Sequence, residues 1–125
     1  MTAIFKHGSP LMVDHTPSAA VAAREVVEMG TYNLVAHSAI AAAAKGALAA
    51  GGGVYEMIAG EQLTAGEKVF YDHDHATLSG RVHSDDSGTA SQPHFGYTLE
   101  AASAAAATVL CVHDPDGSVS TGAGG

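Results

Sequence analysis

Residues 53–58 read Gly53-Val54-Tyr55-Glu56-Met57-Ile58, a run opened by glycine in which the side chains alternate in character. Tyr97-Thr98-Leu99-Glu100 repeats the pattern. In an extended chain successive side chains point to opposite faces, so the alternation puts one set inward and the other toward solvent. Outward from these two runs lie other short stretches rich in β-branched and aromatic residues: Glu25 to Met29, Tyr32 to His37, Lys68 to Tyr71, Phe95 to Glu100 and Thr108 to His113. None reaches the length of an ordinary helix. Turn residues separate them at short intervals, among them Gly30, Gly46, Gly51 to Gly53, Gly60, Gly66, Gly80, Gly88 and Asp116-Gly117. This spacing predicts an all-β protein, a small single-domain β-barrel or sandwich.

Three segments compete with that reading. Thr16-Pro17 followed by Ser18-Ala19-Ala20-Val21-Ala22-Ala23 and closed by Gly30 has a capping threonine, a proline suited to the first helical position and a terminating glycine. On propensity alone it would be helical. Ala39 to Ala50 and Ala101 to Ala107 also favour helix, although Gly46 interrupts the first and each is too short to be stable alone.

Composition bounds the rest. The chain has 125 residues, of which 25 are Ala and 15 Gly, while Leu, Ile, Val and Phe together number 24. One domain with a thin core follows, and such a domain gains stability from whatever binds it. Thirteen acids against five bases give a formal charge of -8. With so few cations, and none clustered, direct nucleic-acid binding through phosphate contacts is not expected. The longest apolar run, Ala39 to Ala44, is cut by Lys45 and falls far short of the roughly 20 residues of a membrane helix, so no membrane partner is expected. The N-terminal Met1 to Leu11 is broken by His7-Gly8-Ser9-Pro10 before a secretion signal could form. Cys111, the single cysteine, sits inside Val109-Leu110-Cys111-Val112 and reads as a small buried hydrophobe.

Catalytic constellations are sparse. No lysine directly follows a glycine, as a phosphate loop requires, and no Gly-x-Ser-x-Gly elbow is present. The densest set of potential ligands is Asp72-His73-Asp74-His75, where residues two apart on an extended segment share a face and could present two imidazoles or two carboxylates to one ion. A metal-binding β-barrel enzyme of cupin-like type, using His73 and His75 with His94 or His113, is therefore the alternative function. The cupin pattern fails in detail: Ala76 to Gly80 supply no glutamate after the second histidine, and Pro93-His94-Phe95-Gly96 has the wrong spacing. A polar hairpin loop explains the cluster without a metal. Asp114-Pro115-Asp116-Gly117 is a turn on conformational grounds, and Ser84 to Gly88 a solvated loop.

Taken in order, several segments together resemble the head decoration, or capsid cement, proteins of tailed phages. They are Val13-Asp14-His15-Thr16-Pro17; Ala22-Ala23-Arg24-Glu25-Val26-Val27; Ile40 through Lys45-Gly46-Ala47-Leu48-Ala49 into Gly53-Val54-Tyr55-Glu56; Leu63 to Asp72; Gly96 to Ala102; and Ala107 to Val112. Two departures stand out: Arg24 occupies a position where the family usually has a turn glycine, and Phe70-Tyr71-Asp72 replaces a tryptophan-bearing version. The resemblance implies a non-enzymatic structural protein of the virion, without cofactors. It would be made in the host cytoplasm and carried on the outer surface of the capsid, where it would stabilise the mature head. The implied partners are the major capsid protein and further copies of the chain, as a trimer or similar ring. The resemblance also favours an extended segment over a helix for residues 16 to 29. The expected organisation is an extended N-terminal arm over residues 1–22, a β-domain over 23–115 and a flexible Gly-rich C-terminal tail over 116–125. Phe5, Leu11 and Met12 are the candidate capsid or subunit contacts, because apolar side chains in a stretch so interrupted need an external pocket.

Overall fold

A computed structural model describes residues 3–73, 80–84, 92–116 and 118–120. Among these there is no helix. The strands are β1 (Ile4–His7), β2 (Leu11–His15), β3 (Val26–Met29), β4 (Tyr32–Ala36), β5 (Gly46–Gly51), β6 (Val54–Ile58), β7 (Lys68–Tyr71), β8 (Val82–His83), β9 (Gln92–Thr98), β10 (Thr108–His113) and β11 (Val119–Ser120). They form two antiparallel sheets. The larger runs β1-β6-β10-β9-β7-β8, with β11 on β9, and the smaller runs β2-β5-β4-β3. The sheets pack on each other and do not close into a barrel, so of the two expected architectures the sandwich is the one formed. Among the described residues a parallel bridge, Ala59 to Val82, links the chain just after β6 to β8.

The alternating runs behave as an extended chain must. Tyr55 and Met57 of β6, Val109 and Cys111 of β10, Phe95 of β9 and Val69 and Tyr71 of β7 point inward, where they meet Val26, Val35 and Ala49 of the smaller sheet. Burial pushes the Cys111 thiol up to about 12, in keeping with a packing role. At the crossing of β9 and β10 the strands approach so closely that a side chain at Gly96 would collide with the Val112 carbonyl oxygen.

The smaller sheet has a second core on its far side. Val21 and Ile40, from the loops before β3 and after β4, cover Leu34, Ala36 and Leu48. Their backbones pair with each other in both directions, at 2.8 and 2.9 Å. This lid explains why the Ala-rich stretch Gly46–Gly51 is a strand and not a helix. Ile40 lies so near that a Cβ at Gly46 would come within 2.6 Å of it, and pairing with β2 and β4 outweighs the weak preference of alanine for helix.

The N-terminal residues are extended and are strands of the domain itself: β1 borders the larger sheet on β6, and β2 borders the smaller on β5. Thr16 to Gly30 holds no helix; its first half forms the lid and its second half is β3. Of the expected tail, Gly117 and residues 121–125 lie outside the described residues, while β11 pairs with the start of β9.

Candidate interaction surface

Cross-strand register fixes which side chains share the outer face of the larger sheet. Thr108 stands opposite Ile58, Leu110 opposite Glu56, Val112 opposite Val54 and also opposite Tyr97, and Lys68 opposite Tyr97. Leu99 continues the row, its N–H donating to the Leu110 carbonyl at 2.8 Å. The face is therefore mostly aliphatic and aromatic, with Glu56 near its middle paired to Lys6 at 3.9 Å. Ile58, Tyr97 and Leu99 are 38, 40 and 45% exposed, and no described segment lies over them. Large apolar side chains grouped in this way mark a surface meant to be covered.

The candidate contacts of the N-terminal segment lie elsewhere and do not form one patch. Leu11 is 67% and Met12 42% exposed, on β2 at the border of the smaller sheet, where one edge of the backbone has no strand beside it among the described residues. Phe5 is on β1, and its ring packs 4.8 Å from the His37 ring and 5.5 Å from that of Tyr55. Sequence reasoning missed Ile58, Tyr97 and Leu99. All three belong to the alternating runs 54–58 and 97–100, but the pattern does not say which set faces out: at 97–100 the polar Thr98 is buried and the apolar Tyr97 and Leu99 are exposed.

The histidines gather where the two sheets meet. Asn33 of β4 is fully buried; its Nδ2 donates to the Pro93 carbonyl at 2.8 Å. Its Oδ1 accepts from His73 Nε2 at 2.5 Å, and its backbone carbonyl accepts from His113 Nε2 at 2.8 Å. Burial holds His113 down to about 4, so it is neutral at ordinary pH. His94 Nε2 donates to the Gly96 carbonyl, and its Nδ1 lies 2.9 Å from Asp116, whose carboxyl the two Ser118 donors hold well below its usual range. His83 lies 3.8 Å from Asp72, both buried. His73, His94 and His113 are thus separate parts of an inter-sheet polar seam. Among the described residues no three ligating side chains gather as a metal site would need, and His75 and Asp74 lie outside the described residues.

The described residues thus form a small β-sandwich that leaves apolar side chains exposed on the outer face of its larger sheet. The family model of phage cement proteins matches residues 6–113, and the chain belongs to that family. It is accordingly a structural protein associated with the phage capsid. No curated protein and no solved structure matched the chain in the corresponding comparisons.

Proposed function

We propose that this protein docks on the outer surface of the assembled head, against the major capsid protein, and holds the mature lattice together as a homo-oligomer, with a trimer the expected form. The observation that carries this reading is the uncovered outer face of the larger sheet, with Ile58, Tyr97 and Leu99 exposed on it. That face is the seat on the capsid. Leu11 and Met12, on the free border of β2, contact a neighbouring copy, and Phe5, apart from them on β1, makes a separate contact. A protein that binds only the assembled lattice stabilises it by mass action, and repeated weak contacts on one particle add up through effective concentration. An excess of acid suits a surface turned away from DNA.

Co-sedimentation with purified heads tests the reading. Tyr97→Ser with Leu99→Ser should lower occupancy at least ten-fold while the free protein keeps its unfolding midpoint, and undiminished occupancy would exclude this face. Deleting residues 1–20 is not a clean test, since it would remove two strands. Leu11→Ser with Met12→Ser examines the β2 border without that damage.

A further inference from the structure

Of the five cations, Lys6, Lys45 and Lys68 pair with Glu56, Asp14 and Asp116 at 3.9, 3.2 and 3.4 Å. Neither arginine has such a partner among the described residues, although the chain carries thirteen acids, and Arg81 is half-buried, unlike Arg24. The Arg24 side chain is exposed and lines a cleft of about 210 Å3, together with Ile4, Phe5 and His37. The backbone there is in the left-handed region, with φ at 72°, where a side chain is disfavoured and glycine is the usual occupant. Two hydrogen bonds lock it in place: Arg24 N–H donates to the Ala36 carbonyl at 2.7 Å, and its carbonyl accepts from Ala3 N–H at 2.9 Å. A strained position that keeps a long charged side chain is reason to ask what the side chain does. Beside it, Tyr55 O–H lies 2.6 Å from His37 Nε2; with the phenol as donor, the imidazole keeps its proton on Nδ1 and adds a second donor to the cleft.

The described carboxylates are nearly all engaged. Asp14, Glu56, Asp72 and Asp116 face cations or histidines, while Glu25, Glu61, Glu67 and Glu100 accept hydrogen bonds. Glu28 has an interaction of its own. Asp114 is the remaining one; its side chain is exposed, and only its backbone is engaged, through N–H to the Phe95 carbonyl. Arg24 and Asp114 do not meet within one molecule. Arg24 is held by Ala3, which precedes the pairing of Ile4 with Glu56, whereas Asp114 follows the pairing of Val112 with Val54.

We propose that the Arg24 cleft of one copy receives the Asp114 carboxylate of a second copy, the guanidinium clamping it beside the packed Phe5 and His37 rings. Because the two groups lie on different patches, the contact is heterologous, and repeating it generates a closed ring if the rotation per copy allows. Guanidinium and carboxylate can pair through two parallel hydrogen bonds, which fixes the angle between copies as well as holding them. The inference rests on the homo-oligomer reading above and gives it a specific contact.

Sedimentation velocity of the full chain over a range of concentrations is the test. Arg24→Gly suits the backbone at this position, so it should fold at least as stably as the parent, yet dissociate with a constant about ten-fold higher or more. Asp114→Arg should do the same, and Arg24→Asp combined with Asp114→Arg should restore association. Single variants that associate like an oligomeric parent would overturn the pairing and leave self-assembly standing. A parent that is monomeric throughout, and single on the capsid, would overturn both.

Discussion

The two sheets are built from similar material and end differently. The smaller one is covered over its centre on both faces, since Val26, Val35 and Ala49 press on the larger sheet and Leu34, Ala36 and Leu48 lie beneath Val21 and Ile40; Leu11 and Met12 on its border strand and Met29 and Tyr32 at the end of the β3-β4 hairpin stay exposed. The larger one is covered on one face, and Ile58, Tyr97 and Leu99 stay exposed on the other. An antiparallel sheet can leave one face to water if that face is polar, which this one is not. The difference lies in where the described chain supplies its own cover: over the centre of the smaller sheet, but not over Ile58, Tyr97 and Leu99 of the larger. The lid also explains how strands so poor in bulk stay in place, since Gly and Ala in β5 let Ile40 approach the backbone directly.

That contrast can be tested from its strongest consequence to its weakest. Gly96→Ala should have the largest effect, because the new methyl would be driven onto the Val112 carbonyl oxygen and part β9 from β10. We expect a loss of roughly 3–5 kcal/mol or no folded protein. A urea unfolding midpoint equal to the parent's would show that the larger sheet yields at its centre.

Leu48→Ala empties part of the second core and should cost about 3 kcal/mol in the same experiment, as truncations of buried leucine do. A cost under about 1 kcal/mol would mean that the lid collapses into the space and covers less than it appears to.

Between the sheets, His113 makes stability depend on pH. Its folded value of about 4 lies below the ordinary 6.5, so the folded protein holds the ring neutral while the unfolded chain takes up a proton as the pH falls. Stability is therefore full above about pH 6.5 and declines toward pH 4, by on the order of 2–3 kcal/mol from this group. His113→Gln should flatten that part of the profile. An unchanged slope between pH 6.5 and 4 would assign the dependence to other histidines.

Leu99→Ala should have the smallest effect on the isolated protein, within about 0.5 kcal/mol, since nearly half of the residue is already exposed to water. The same truncation at Leu48 and at Leu99 thus compares a face covered from within with a face left bare. A cost at Leu99 approaching that at Leu48 would mean that the outer face is packed in solution.

Much of this fold was readable in the chain, for reasons that can be located. The runs at 54–58, 68–71 and 108–113 are strands with the bounds their side chains suggested, because β-branched and aromatic residues in alternation suit a pleated sheet with one buried face. The family was legible in the order of several weak segments. Arg24, where the family usually places a glycine, proves to hold the left-handed backbone such a glycine would serve. Met12 and Leu11 were noticed as apolar residues in a broken stretch; Tyr97 and Leu99 were not, because alternation by itself does not say which of its two faces the rest of the chain will cover.

The sequence by itself pointed to an all-β domain with a sparse core, through its short alternating runs and frequent turn residues, while leaving residues 16–29, 39–50 and 101–107 open to helix. What composition could not decide was the partnering of its elements. Gly46–Gly51 is neutral between helix and strand until β2 and β4 lie on either side of it. Asn33 is an ordinary polar residue until His73, His113 and Pro93 converge on it from 40, 80 and 60 positions away. Hydrogen bonds and burial between segments distant in sequence depend on the three-dimensional arrangement, and only there does one sheet face become a core while another of the same chemistry is left outside.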